Sequence, residues 1–309
     1  MAITTIPGAT SSDLTTLKGT ELADTFTLEG TNQFIDGLAG ADTISAATGV
    51  ESITVDAGAD NDNVTLSGEA NTVLLDLKGG NDSVTLADAV KSTINGGNGS
   101  DTITQTATRT FDDGSIFGRT GNDSVTLVNL KDSYIGGDQD DDTIISTGTV
   151  TNSTIRGGNQ RDTITLAAAG GLIKGDNNED TITVTGTATD LYVGGDGAND
   201  SITISSASVT GATIRGGAGA DDINISGAAL LVKGDKGNDD IDQTATNAKH
   251  TIFGGAGNDA IDASSTSNLL IMGDQATEDT AADVQGVDIY NLQKFQSSLL
   301  NYKLKRQPL

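Results

Sequence analysis

Residues 91–105 read KSTINGGNGSDTITQ. Ser92, Thr93 and Ile94 read as a short β segment whose side chains alternate between faces. Gly96, Gly97 and Gly99 follow, a composition that permits positive φ angles and close backbone approach. Asp101 ends the turn, and Thr102-Ile103-Thr104 resumes the alternation with Ile103 pointing inward. The same pattern returns as IFGRTGNDSVTL at 116–127, IRGGAGADDINI at 214–225 and IFGGAGNDAIDA at 252–263. Some eight to ten mostly polar residues separate one unit from the next, such as 106–115.

The aspartate recurs along the chain at intervals of 18 to 22 residues: Asp24, Asp42, Asp62, Asp82, Asp101, Asp123, Asp142, Asp162, Asp180, Asp200, Asp221, Asp239, Asp259 and, less clearly, Asp279. Seven residues earlier stand Leu17, Ile35, Val55, Leu75, Ile94, Ile116, Ile135, Ile155, Ile173, Val193, Ile214, Val232, Ile252 and Met272. Two residues after the first thirteen aspartates stand Phe26, Ile44, Val64, Val84, Ile103, Val125, Ile144, Ile164, Ile182, Ile202, Ile223, Ile241 and Ile261. A register kept this long means one structural turn per unit, stacked along an axis. Both prolines, Pro7 and Pro308, lie outside the repeat, where a missing ladder donor costs nothing. Six Phe, four Tyr and no Trp leave only a narrow core of Ile, Val, Leu and Ala.

The unit resembles the calcium-binding nonapeptide of RTX proteins, G-G-x-G-x-D-x-U-x with U a large apolar residue. The match spans about 260 of the 309 residues and is strongest at 96–105, 216–225, 234–243 and 254–263. The glycine five residues before the aspartate is present in eleven of the first thirteen units, with Ala57 and Leu77 in the others. The family's roll carries a loop on both halves of an 18-residue turn, whereas here only one half of each turn carries it. The expected fold is therefore an all-β, right-handed parallel β-solenoid of 13–14 coils, roughly 65 Å long at the strand spacing. One row of metal loops runs along one edge, and the opposite edge is made of ordinary turns.

Calcium is a hard cation that takes six to eight oxygens in flexible geometry. A glycine-rich turn bends carbonyls toward one point, and one carboxylate per loop, stacked at ~4.8 Å, places two aspartates around each ion. The thirteen aspartates are the candidate ligands, with turn residues Gly96, Gly99, Gly118, Gly121, Gly216, Gly219, Gly234, Gly237, Gly254 and Gly257. A net charge of −26 would repel itself in a compact fold. About 10–12 calcium ions, one between each pair of neighbouring loops, bring roughly +20 to +24. The loops 157–162 and 175–180 lack the second turn glycine, and Arg161 adjoins Asp162, which marks them as the weaker sites. The competing reading is that the aspartates merely cap turns through side-chain hydrogen bonds.

No cysteine is present, which excludes disulfides and thiolate metal sites. Residues 1–16 show no basic start or apolar run of a classical signal peptide, and no ~18-residue apolar stretch could span a bilayer. The acidity opposes nucleic-acid binding. His250, the one histidine, starts a β segment and is expected to be structural. Few aromatics are available to stack a sugar, and no catalytic constellation emerges, so no enzyme is expected. A two-row Thr/Asn array like that of ice-binding calcium solenoids is missing from the loops, where the companion threonine appears only at Thr120.

The chain divides into a lead-in at 1–16, the repeat at 17–287 and a basic tail at 288–309. In the tail Ile289, Leu292, Phe295, Leu299 and Leu300 share one face at helical spacing. It is expected to cap the last coil or to dock on another copy or a surface or virion partner. Calcium is millimolar outside cells, so a multi-site solenoid would fold after export. The expected role is an extracellular structural one, in a surface layer, adhesin or filament. A phage fibre or decoration protein and an ice- or surface-binding module are the alternatives.

Overall fold

The computed structural model describes residues 15–205, 209–227, 230–244, 249–263, 269–273 and 289–292. They fall into two compact units, Met1–Leu166 and Ala167–Leu309. Each is a parallel β-solenoid, and no helix occurs among the described residues.

In the first unit one coil consists of three strands. Thr93–Asn98 runs into the glycine turn, Thr102–Gln105 leaves it, and Thr110–Asp112 closes the coil. Each pairs in parallel with its counterparts one repeat away: Ile94 with Leu75 and Ile116, Ile103 with Val84 and Val125. These side chains are fully buried, as the two apolar series require. Alternation puts one face of each strand inside, so the core is a stack of single-residue layers. In the second unit the two columns that flank the loops continue. Ile214, Val232 and Ile252 stack before the loops, and Ile223, Ile241 and Ile261 after them.

The third strand corrects the expectation of ordinary turns between units. Val50, Ala70, Ala89, Phe111, Leu130 and Val150 form a third buried column in strict register. Each of these short segments contributes one inward residue, too little to show as alternation. The following corner is held by buried serines. Ser92 Oγ accepts the Val73 N–H at 3.1 Å, and Ser133 Oγ accepts the Gly114 N–H at 3.2 Å.

The helical reading of the tail fails where it begins. Ile289–Leu292 is a strand, paired in parallel with Ala260–Ala263. An open strand edge offers unpaired backbone donors and acceptors, and pairing with it overrides a short apolar period of three to four. Residues 293–309, 1–14 and Asp279 lie outside the described residues. His250 is 2% exposed, with neither ring nitrogen hydrogen-bonded, and burial lowers its pKa below the ordinary value.

Candidate metal centre

The thirteen aspartates come together as two ladders, one in each unit. In the first, Oδ1 of each aspartate after Asp24 accepts the backbone N–H of the aspartate one coil earlier. The bonds run from Asp24 to Asp42 (2.7 Å), Asp42 to Asp62 (2.7 Å), Asp62 to Asp82 (2.7 Å) and Asp82 to Asp101 (2.8 Å). They continue from Asp101 to Asp123 (2.7 Å), Asp123 to Asp142 (2.8 Å) and Asp142 to Asp162 (2.8 Å). In the second unit Asp180 donates to Asp200 (2.8 Å), Asp200 to Asp221 (2.8 Å), Asp221 to Asp239 (2.9 Å) and Asp239 to Asp259 (3.0 Å). Every member is between 1% and 3% exposed, an unusual density of buried carboxylates. Their backbone carbonyls are engaged as well: Asp101 O accepts the Ser124 N–H at 2.8 Å, and Asp221 O the Asp240 N–H at 2.8 Å.

The second carboxylate oxygen is different. Oδ2 of Asp42, Asp62, Asp82, Asp101, Asp123, Asp142, Asp200, Asp221 and Asp239 is buried without a hydrogen-bond partner. Asp24 departs from this at the start of the first ladder, where its Oδ2 accepts from the Thr20 N–H and hydroxyl at 2.7 and 2.8 Å. An unpaired buried carboxylate oxygen is costly, so it marks a place where a cation or a proton belongs.

The glycines explain how that oxygen is housed, and they divide by position. The one two residues before the aspartate needs a left-handed backbone: φ is +118° at Gly99, +108° at Gly121, +135° at Gly219, +125° at Gly237 and +135° at Gly257. Where glycine is absent the conformation persists, with Gln160 at +73° and Asn178 at +72°. The two loops expected to be weaker thus keep the turn at a local cost of ~1–2 kcal/mol.

The glycine five residues before the aspartate does not take positive φ, contrary to the reading of Gly96. Its reason is space. A Cβ on Gly96 would meet Asp101 Oδ2, and its next contact would be the Gly118 carbonyl at 2.6 Å. Gly118 faces Asp123 and the Gly137 carbonyl in the same way, as Gly216 does Asp221 and Gly234, and Gly234 does Asp239 and Gly254. The paired register skips these glycines, leaving a corner into which the carboxylate and a carbonyl of the next coil both project. We expect Gly118→Ala to lower the stability of the calcium-loaded protein by ~1–3 kcal/mol through overpacking. An unchanged melting temperature would show that the corner has room that this geometry denies it.

Electrostatics point the same way. Burial, the largest cause, pushes the carboxyls of Asp82, Asp101, Asp123 and Asp221 up to about 6. It pushes Asp62 and Asp239 up to about 7, and Asp142 and Asp200 up to about 8. The N–H bond from the preceding coil pulls each back down, while the charges of neighbouring aspartates push it up again. A divalent cation among these oxygens would reverse the shift.

The residues present fit calcium. The donor set is carboxylate and glycine carbonyl oxygen, the chemistry of a hard cation, with no nitrogen or sulfur ligand. No three acidic or histidine side chains converge on one point among the described residues. A cation here would therefore draw on backbone carbonyls for most of its ligands.

A second row, outside the first, runs along the loop edge. Asn61 Oδ1 accepts the Asn81 N–H at 2.8 Å, and Asn81 Oδ1 the Ser100 N–H at 2.8 Å. In the second unit Asn199 serves the Ala220 N–H at 2.7 Å and Asn238 the Asn258 N–H at 2.8 Å. These side chains accept from the following coil, the aspartates from the preceding one, so the two rows tie each coil in opposite directions. Arg161 does not turn onto Asp162's row. Its N–H and guanidinium meet Asp141, at 3.0 and 3.7 Å.

No protein-family model matches the chain, and no curated protein matches it. Among solved structures it is similar to a hyperactive, Ca2+-dependent, β-helical antifreeze protein from an Antarctic bacterium. The two are 21% identical over 94% of this chain and 87% of that one, with a TM-score of 0.60. At that identity the likeness concerns the fold.

Proposed function

We propose that this chain is a non-enzymatic, calcium-stabilised solenoid that works outside the cell as a structural protein of a surface layer, adhesin or filament. The observation that carries the reading is the buried ladder in which Oδ2 of nine aspartates, from Asp42 to Asp142 and from Asp200 to Asp239, lacks a hydrogen-bond partner. Such a ladder is electrostatically unfavourable at neutral pH without a cation. It also divides the work of folding among many weak sites, which suits an environment of millimolar calcium. The RTX resemblance of the loops and the calcium dependence named for the similar β-helical structure support the same reading. No helix among the described residues is long and apolar enough to cross a membrane.

Washed source cells treated with chelator provide the test. Release of the protein into the supernatant, and its rebinding when calcium is restored, is the expected result. Copurification with virus particles through a chelator wash would replace the surface role by a virion one.

A second reading, binding to ice, is favoured by a specific feature: six neighbouring strands in the first unit whose outward first and third residues are all uncharged and polar. The similar structure is that of an antifreeze protein. Thermal hysteresis in dilute, calcium-loaded protein would support this reading, and its absence would end it.

A further inference from the structure

Of the strands that leave the aspartate loops in the first unit, the first six are Thr25–Thr27, Thr43–Ala46, Asn63–Asn71, Ser83–Val90, Thr102–Gln105 and Ser124–Leu127; the seventh ends the pattern by placing Ile145 opposite Thr126. The first and third residues of these six face outward and stand in Cα register from strand to strand. They form two ranks, and every member is Thr, Ser or Asn, half-buried or exposed.

The chain contains 43 acidic and 17 basic residues, yet none of them enters these ranks. Neutrality is not a demand of the coil. The matching outward positions before the loops include Lys18, Asp36, Asp56 and Asp76. In the second unit the same two ranks take up Asp222, Asp240 and Asp242. Nor does β propensity account for it, because threonine's preference would operate equally in both units. Charge is kept off this one face.

Parallel pairing repeats each rank every 4.7–4.9 Å, and the pleat sets the two ranks about 6.6 Å apart. Threonine is stiff at χ1, so its hydroxyl and methyl are held in place before any ligand arrives. The face thus offers hydrogen-bonding groups on a fixed two-dimensional net, interleaved with methyls and free of the strongly hydrated charges that disorder nearby water. A ligand matched to it must be neutral, must repeat along both directions and must offer donors and acceptors at each node. A polypeptide has no such two-dimensional repeat, and an ion or nucleic acid finds no charge to meet.

We infer that this hydroxyl face, rather than the asparagine row on the loop edge, is where the first unit meets the ordered water of an ice lattice. The inference rests on the ice-binding reading above and names the surface that performs it. Thr85 and Thr104, adjacent in the interior of the second rank, are the residues on which it depends most.

The test is partition of calcium-loaded full-length protein into slowly growing ice. It compares the unsubstituted chain with Thr85→Lys/Thr104→Lys, with Asn61→Ala/Asn81→Ala on the loop edge, and with Thr54→Lys on the pre-loop face. All substituted positions are solvent-facing, and calcium-dependent circular dichroism establishes that each variant is folded. The expected result is at least a tenfold loss of ice uptake for the Thr85/Thr104 variant and less than a twofold change for the other two. If the unsubstituted protein enters ice and only the loop-edge variant loses uptake, the face is wrong while the ice-binding reading stands. Equal losses in the Thr54 variant would mean that added charge anywhere is enough, which also overturns the assignment. Exclusion of the unsubstituted protein from ice would remove the ice-binding reading itself.

Discussion

In excess chelator at about pH 7.5 the protein is expected to lose most of its β-sheet signal in one cooperative transition, and mild acid is expected to restore it. The buried carboxyls raised to about 6, 7 and 8 bind protons in the folded state that they would release on unfolding, where the ordinary value is 3.8. Metal-free stability from these groups is therefore fully present below about pH 4 and lost as the pH rises through about 6 to 8. With calcium the slope reverses. The bound ion requires ionised carboxylates, so acid competes with it and stability falls as the pH falls. Melting temperature measured against pH, once in calcium and once in chelator, should give two lines that slope in opposite directions and approach each other near pH 5. Parallel lines would mean that calcium does not reach these oxygens. A fully folded protein in chelator at neutral pH would mean that the aspartates serve as turn caps alone.

Asp142→Asn is expected to have effects of opposite sign under the same two conditions. Asp142 is among the carboxyls pushed furthest up, with Asp123, Asp162 and Asp138 adding their charge to the effect of burial. Asparagine retains an Oδ1 that accepts the Asp123 N–H, a bond of 2.8 Å in the present ladder. It replaces the unpartnered Oδ2 by an amide donor beside the Gly157 carbonyl, toward which Oδ2 and Gly137 converge. In chelator the variant should be more stable, by ~1–3 kcal/mol, the typical cost of an unsatisfied buried polar group. In calcium it should be less stable. Each lost site removes about 2.7 kcal/mol where free calcium is a hundredfold above Kd, and a carboxylate between two coils puts two sites at risk. Ion stoichiometry read by mass spectrometry or calorimetry should fall by one or two. A variant less stable in both conditions would show that the carboxylate matters to the ladder and not to an ion.

The repeat made much of this legible. Equivalent residues in successive coils must be alike where they are buried, so the two apolar series and the aspartate row could be identified without any coordinates. Met272 is the departure, 40% exposed, because Ile271 and not Met272 pairs with Ile252. The glycine pattern was legible too, although it was read for one physical reason where two operate. Gly99 and Gly121 need left-handed φ, whereas Gly96 and Gly118 are small because an aspartate oxygen occupies the place of their Cβ. Both requirements produce the same letter. The third buried column, through Phe111 and Leu130, was hidden because each segment buries a single side chain among polar neighbours. The tail misled for a related reason. Four residues, Ile289–Leu292, satisfy a helical spacing as well as a strand, and the neighbouring strand Ala260–Ala263 decides between them.

Periodicity and side-chain type are enough to define the coil, its inward residues and the recurrence of one carboxylate per loop. The stacking of the coils sets which carboxylate oxygen meets the preceding coil and, in nine of the aspartates, leaves the other without a hydrogen-bond partner. It alone set the asparagine row against the aspartate row, and it alone aligned the hydroxyls of six strands into one uncharged face. Those features depend on contacts between residues about twenty positions apart, where stacking brings equivalent atoms within hydrogen-bonding distance, and period alone carries no direction.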